Sequence, residues 1–482
     1  MSHKLLIDGD LVAGAAQLDV INPATGKVFA KSARADKAQA ERAVAAAKRA
    51  FPAWAALSYA ERGEQLNRFA EAIKARGDEI ARLLTLENGK PLEAAKIEVT
   101  LTWQFLQYFA AEELKPRVIR QTDKETVIAE RYPLGVTAAI TPWNFPLVLL
   151  MFKAGAALIT GNPVIAKPAP TTPLTTLLLG EAASTTLPPG VFQTLVDLND
   201  LGPILTSHPD VAHVSFTGST PTGAKVMKSA ADTIKRLTLE LGGNDPAIIL
   251  DDADIDQVAP VVYFNATANS GQVCYGIKRV YVPRKQVDRF CDAIVDEVAK
   301  SKVGDGLDPT TTLGPIQNKL QYEKVIGYLE DSHREGRVIA GGRALAGEGY
   351  FIPVTVVRDL SNRARVVREE QFGPIIPIVA YDSLDEAIAM ANDTEVGLGA
   401  SVWTSDVRRG LKVASRVESG TVWVNQHFVN PLDLPFGGAK HSGIGLQNGI
   451  EGLEDCTQLR IVNAVASEAD APSYVSNAAK AP

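Results

Sequence analysis

One of three cysteines in this 482-residue chain has neighbours that suit a nucleophile. Cys274 lies in NATANSGQVCYGIKR, where glycine and small polar residues predict a tight backbone turn. Alone, it reads first as a buried thiol acting as a small hydrophobe, since most free cysteines are inert. A nucleophile needs a base, oxyanion donors and a cofactor site. Glu240, in RLTLELGGND, is a candidate base, because flanking leucines desolvate the carboxylate and raise its pKa. A strand-end glutamate bonded to backbone amides is the plainer alternative. Asn144 sits in TPWNFP, a turn stiffened by two prolines and two aromatics. Held there, its amide could donate to a developing oxyanion, or simply form the turn. Lys167 closes the apolar run PVIAK beside Pro168 and Pro170. The carboxyl end of a parallel strand meets ligands; a surface lysine would read the same way. Gly218 and Ser219, in FTGSTPTG, follow an apolar strand and open a helix whose N-terminus suits a phosphate.

These residues need a scaffold that brings distant segments together. ADKAQAERAVAAAKRAFPAWAAL has helical apolar spacing, so the first part of the chain reads as Ala-rich and helical. YAERGEQLNRFAEAIKARGDEIARLLTLENGK reads as one further helix, stopped by Gly89 and Pro91. GVTAAITPWNF, NPVIAKP, VFQTLVD and DVAHVSFTGS read as strands, with KAGAALITG and TPLTTLLLGEAAST as helices between them. That rhythm predicts a parallel sheet with helices on both faces. A second α/β stretch begins near LELGGNDPAIIL and includes the helix QVDRFCDAIVDEVAKS and the strand GTVWVN. DKETVIAERYPLG alternates as an excursion strand, and the tail EADAPSYVSNAAKAP reads as poorly ordered.

Composition excludes several classes. A net charge of −7 without a basic block argues against nucleic-acid binding. No run approaches the roughly 18 apolar residues of a membrane span, and the start has no signal core. Three cysteines make no disulfide framework, so a reducing, cytoplasmic setting is expected.

PWNFP, FTGS, LELGG, GQVC, EEQFGP and PFGG occur in that order. Together they resemble the NAD(P)-dependent aldehyde dehydrogenase superfamily, from INPATG to GLEDCTQ. The resemblance implies an α/β fold with a Rossmann-like parallel-sheet cofactor domain, an α/β catalytic domain and a small β oligomerisation element. The expected boundaries are 1–114 and 134–242, then 243–441, then 115–133 with 456–465. In the implied chemistry Cys274 attacks the aldehyde to give a thiohemiacetal. Hydride leaves to NAD or NADP, and Glu240 activates water to release the acid from the thioester. Asn144 and the Cys274 N–H match the oxyanion hole, and Lys153 matches a lysine in a proton-exit route. The matched cofactor contacts are Thr141, Trp143, Lys167, Gly218, Ser219, Glu370 and Phe372. Among them Lys167 matches the adenosine ribose contact, Trp143 and Ser219 lie near the pyrophosphate, and Glu370 and Phe372 position the nicotinamide ribose and ring. The matched aldehyde tunnel comprises Phe145, Leu149, Phe152, Val273, Tyr275, His427 and Phe436, where His427 either bonds a polar substituent at the mouth or, the commoner case, only packs against the rim. No metal is implied, and a homodimer or homotetramer is.

The chain departs from the pattern in four places. Pro170 replaces the glutamate that binds ribose hydroxyls in many NAD-preferring relatives, so NADP use stays open. VDLNDLG replaces a more glycine-rich turn. Gln447 replaces a glutamate of the proton-exit route, and Cys456 a common tyrosine, read as structural. The tunnel is mostly apolar and lacks an arginine near Phe152, which favours a medium apolar or aromatic aldehyde over a short anionic one. Transfer of the acyl group to coenzyme A is an alternative, disfavoured by the retained Glu240. A catalytically silent structural relative is another, disfavoured by the retained Cys274 and Asn144.

Overall fold

In a computed structural model of the chain, residues 3–122 and 124–465 are described. The tail EADAPSYVSNAAKAP lies outside them.

The chain does not open with helix. Two antiparallel hairpins come first, Leu5–Ile7 with Asp10–Val12 and Ala16–Asn22 with Lys27–Arg34. The strands of the first hairpin have only three residues each, too few to show a period, and those of the second mix apolar and polar residues. Four helices follow. Lys37–Ala56 and Tyr59–Lys74 start at capping boxes built by Asp36 with Gln39 and Ser58 with Glu61. The second predicted helix is in fact two, Tyr59–Lys74 and Gly77–Asn88. The break falls at Arg76, whose φ/ψ of −108°/17° is not helical and whose guanidinium bonds Glu79 and Glu181. Gly89 ends the run with φ 95°, a left-handed cap that glycine tolerates. Leu92–Ala110 completes the group.

Six strands make the first large sheet, in spatial order Gly443–Ile444, Arg236–Glu240, Val211–Thr217, Val136–Ile140, Val164–Lys167 and Phe192–Thr194. All pairs are parallel except the contact of Gly443–Ile444. Val136–Ile140 is the switch point: the chain goes next to one side, then returns to the other, opening a crevice at the strands' carboxyl ends. One apolar cluster packs Ala139, Val164 and Phe192 against helices that include Pro146–Ile159; another packs Ala138, Val214 and Phe216 on the opposite face.

The second large sheet has seven strands, ordered Arg337–Ala340, Thr355–Arg358, Ile375–Tyr381, Ile277–Pro283, Asp245–Ile249, Gly399–Trp403 and Thr421–Val424. Only Arg337–Ala340 runs antiparallel to its neighbour. The alternating segment forms strand Glu125–Pro133, paired along its whole length with Thr457–Val465 and on its other side with Arg117–Gln121. Among the described residues no helix is long and apolar enough to cross a membrane.

Candidate active site

Cys274 follows three consecutive left-handed residues, Asn269 (φ 50°), Ser270 (φ 56°) and Gly271 (φ 73°). That is the tight turn its glycine-rich setting predicts. A Cβ on Gly271 would lie 2.1 Å from the Gly373 carbonyl, so only glycine lets EEQFGP approach the turn. Cys274 is 7% exposed. Its thiol sits beside Glu240, which arrives from the end of strand Arg236–Glu240 in the other sheet. Burial and the Glu240 charge push the thiol well above the ordinary thiol range. Burial likewise raises the Glu240 carboxyl, against the pull of Cys274, Lys153 and Thr217. Neither thiol nor hydroxyl aligns well enough to satisfy the two Glu240 oxygens, which stay buried without a hydrogen-bond partner. A desolvated, unsatisfied carboxylate beside a protonated thiol can take its proton or one from water.

Asn144 reaches the same place from the turn after Val136–Ile140. Its Nδ2 donates to the Gln272 carbonyl at 2.9 Å, which ties the turn to the Cys274 segment and leaves one amide hydrogen for a ligand. The turn is clamped from behind. Asn88 Nδ2 donates to the Trp143 carbonyl at 2.7 Å, and Lys90 Nζ to the Asn144 carbonyl at 3.0 Å. Glu98 is ion-paired to Lys90 and accepts from Leu147 N at 3.0 Å. Sequence reasoning missed this clamp, because NGKP read only as a helix stop. Truncating one partner of a buried pair costs roughly 3–5 kcal/mol. Lys90→Met is therefore expected to lower the thermal unfolding midpoint and to reduce turnover through the displaced Asn144, both read on the purified variant.

The residues matched to cofactor contacts lie around the switch-point crevice. Thr141 N donates to the Lys167 carbonyl at 3.0 Å, while its buried hydroxyl has no partner. Gly218 N donates to the Glu240 carbonyl at 3.1 Å. Ser219 starts helix Thr220–Ala230 without a side-chain cap, so the helix N-terminus keeps its attraction for an anion. Phe372, at φ 53°, stands edge-on to Trp143 at 5.3 Å. Glu370 accepts from Gly243 N at 3.3 Å, and a Cβ on Gly242 would lie 2.5 Å from its Oε2. Desolvation pushes Glu370 up to about 7 despite Lys278 and Lys324. An unpartnered hydroxyl, an uncapped helix start and a half-satisfied carboxylate together fit a dinucleotide. Lys167 is not free: its Nζ lies 2.6 Å from Asp197 Oδ1, both side chains buried. Asp197 was not foreseen, because it stands 30 residues away at the end of the neighbouring strand.

Aromatic rings pack beside Cys274. Tyr275 lies 5.0 Å from Phe436 and 4.9 Å from Phe428, and Phe428 lies 6.5 Å from Phe145. Phe428 was also missed; it is a bulky residue held at φ 66°. Leu149 and Phe152 are buried in the helix cluster, Phe152 stacked on Phe105 at 5.0 Å. Val273 is buried beneath the Cys274 turn. His427 corrects an expectation. It is not at a tunnel mouth but 3% exposed, its Nε2 2.7 Å from the Tyr275 carbonyl and its ring 4.7 Å from Trp423. Desolvation lowers its pKa to about 3, so it stays neutral and holds Tyr275 in place. Cys456 and Cys291 are buried free thiols away from this site, and the Cys456 carbonyl accepts from Asn162 at 3.0 Å.

The aldehyde dehydrogenase family model matches residues 12–462. The betaine aldehyde dehydrogenase of Agrobacterium fabrum is 38% identical over 97% of this chain and 97% of its own. An NADP-dependent enzyme from E. coli superposes with a TM-score of 0.94 at 36% identity, covering 96% of this chain and 98% of its own. A betaine aldehyde dehydrogenase from Staphylococcus aureus, solved with NAD+, has a TM-score of 0.93 at 32% identity, covering 98% and 99%. The chain belongs to the aldehyde dehydrogenase family, NAD(P)-dependent oxidoreductases that convert aldehydes to acids.

Proposed function

We propose that Cys274 is the nucleophile, Glu240 the base for deacylation, and Asn144 with the Cys274 N–H the oxyanion donors for oxidation of a medium apolar or aromatic aldehyde. The observation that carries this reading is the convergence of a thiol, an unsatisfied buried carboxylate and a clamped amide from three distant segments. Glu240 takes the thiol proton, and the thiolate adds to the carbonyl. Asn144 and the Cys274 N–H hold the oxyanion. Bound NAD(P) supplies the hydride acceptor. Glu240 releases the thiol proton toward solvent and, deprotonated again, takes one from water, which opens the thioester and frees the acid with the Cys274 thiolate as leaving group. The aromatic lining of Phe145, Tyr275, Phe428 and Phe436 supports an apolar or aromatic group. The same rings suit a quaternary ammonium through cation–π attraction, and the betaine aldehyde relatives favour that second reading. Absorbance at 340 nm with benzaldehyde, hexanal and betaine aldehyde, each without coenzyme A, tests both. Activity only with coenzyme A overturns the hydrolytic reading.

The Lys167–Asp197 pair supports a preference for NAD over NADP. Pro170 cannot accept from ribose hydroxyls, but Asp197 stands beside Lys167 and can. A 2′-phosphate would meet that buried carboxylate. Asp197→Asn is expected to tighten NADP binding about tenfold relative to NAD, roughly 1.4 kcal/mol. Fluorescence titration of the apoenzyme with each dinucleotide checks this, and an unchanged ratio removes Asp197 from cofactor choice.

The division into 1–114 with 134–242, 243–441, and 115–133 with 456–465 is supported by the three largest sheets, although Gly443–Ile444 joins the first of them from outside these ranges. Its third part leaves large apolar side chains exposed, including Ile119, Tyr132, Leu459, Ile461 and Val465. Those side chains and two open strand edges support a homodimer or homotetramer. Three free thiols suit the cytoplasm.

A further inference from the structure

Strand Val211–Thr217 carries an unusual alternation. Val214 and Phe216 face the apolar cluster, as buried strand residues should. The opposite face carries His213, Ser215 and Thr217, all buried. The polar character continues sideways, because the parallel register sets Thr217 beside Glu240, Ser215 beside Thr238, and His213 between Arg236 and Thr137. A file of polar groups thus runs along one sheet face, from Glu240 at the carboxyl end to Arg236 at the amino end.

The members of the file bond sideways, to Lys153, Gln447 and Thr238, rather than to one another, and they are not fully satisfied. Lys153 Nζ, from helix Pro146–Ile159, donates to Thr217 Oγ1 at 2.6 Å. Gln447 Nε2 lies 3.5 Å from Ser215 Oγ, and His213 Nε2 lies 3.0 Å from Thr238 Oγ1. His213 Nδ1, Gln447 Oε1, Thr137 Oγ1 and both Glu240 oxygens are buried without partners. Unsatisfied buried polar atoms in a row call for water between them. The charged and titratable groups facing the file are Lys153, Glu240 and Arg236, with Cys456 and Asp455 behind its amino end. Arg236 is half-buried, and its guanidinium reaches Gln458, so the file ends near solvent.

We propose that Thr217, Ser215 and His213 carry the deacylation proton from Glu240 to solvent at Arg236. This rests on the reading of Glu240 as the base. Water attacking the thioester leaves its proton on Glu240. The proton passes to the Thr217–Lys153 pair and on through water, Ser215 and His213. Each hydroxyl or neutral imidazole receives one proton on one side and releases one on the other, so its net charge is unchanged, and the hydroxyls and the imidazole tautomer turn back before the next transfer. Gln447 orients Ser215, but its amide is not a titratable relay group. The burden therefore falls on the strand.

The test uses p-nitrophenyl acetate, which forms the acyl-enzyme without dinucleotide. Ser215→Ala and His213→Leu are expected to leave the acylation burst intact and to slow the steady state about tenfold, within the range of a lost proton-transfer group. Gln447→Glu supplies a titratable carboxylate beside Ser215 and is expected to restore the rate in both variants. A full burst shows that each variant is folded. Unchanged steady states, or slowing that Gln447→Glu does not relieve, overturn the path. Loss of the slow step's sensitivity to Glu240→Gln as well would instead mean that the base assignment had failed.

Discussion

Cys274→Ser is expected to abolish aldehyde oxidation, lowering turnover by roughly 10³-fold or more, the scale on which loss of a covalent nucleophile is felt. The variant should also form no acyl-enzyme, read as an absent acylation burst and an unchanged mass after ester treatment. The physical reason lies in the setting of the thiol. Burial and Glu240 hold it protonated in the resting site, so reactivity depends on transfer of its proton to that carboxylate. A serine hydroxyl is far more reluctant to give up its proton, and the site offers it no stronger base. The change is nearly isosteric inside a turn held by Asn269, Ser270 and Gly271, so the fold should be retained. Oxidation at near wild-type rates would remove Cys274 from the chemistry.

Glu240→Gln should separate the two halves of the reaction. The reduced-cofactor burst should persist while the steady state falls roughly 10²-fold, the lower range for a positioned general base. The pH profile supplies a second readout. The base works when deprotonated, and desolvation sets its folded pKa above the usual carboxylate value. Deacylation should therefore fail as pH drops through that raised value, beginning at a higher pH than an ordinary glutamate would give. The substitution should erase this limb. If burst and steady state fall together, Glu240 also activates the thiol, as its place beside Cys274 allows.

Much of this molecule was legible before any coordinates. Strands Val136–Ile140, Val164–Lys167 and Val211–Thr217 announce themselves as apolar runs, and the helices between them by their spacing. The turn at Cys274 follows from its glycine and small neighbours, and the apolar–polar alternation of DKETVIAERYPLG foretold a strand outside the large sheets. The hairpin of Leu5–Ile7 with Asp10–Val12 was not legible, because strands of three residues carry no period. Nor was the break at Arg76, since no proline marks it and the helical spacing runs through it.

At the site, residue types and order alone set the chemistry: one thiol in a glycine turn, one carboxylate among leucines, one amide between prolines. What only the tertiary structure decided is which partners each of them meets. His427 became the buried support of Tyr275, Lys167 the partner of Asp197, and Gln447 the neighbour of Ser215. The reason is geometric. Local sequence determines backbone period and turn, whereas hydrogen bonds and ion pairs form between atoms a few ångströms apart. In a parallel sheet those atoms come from strands tens to hundreds of residues away, brought side by side by register and burial.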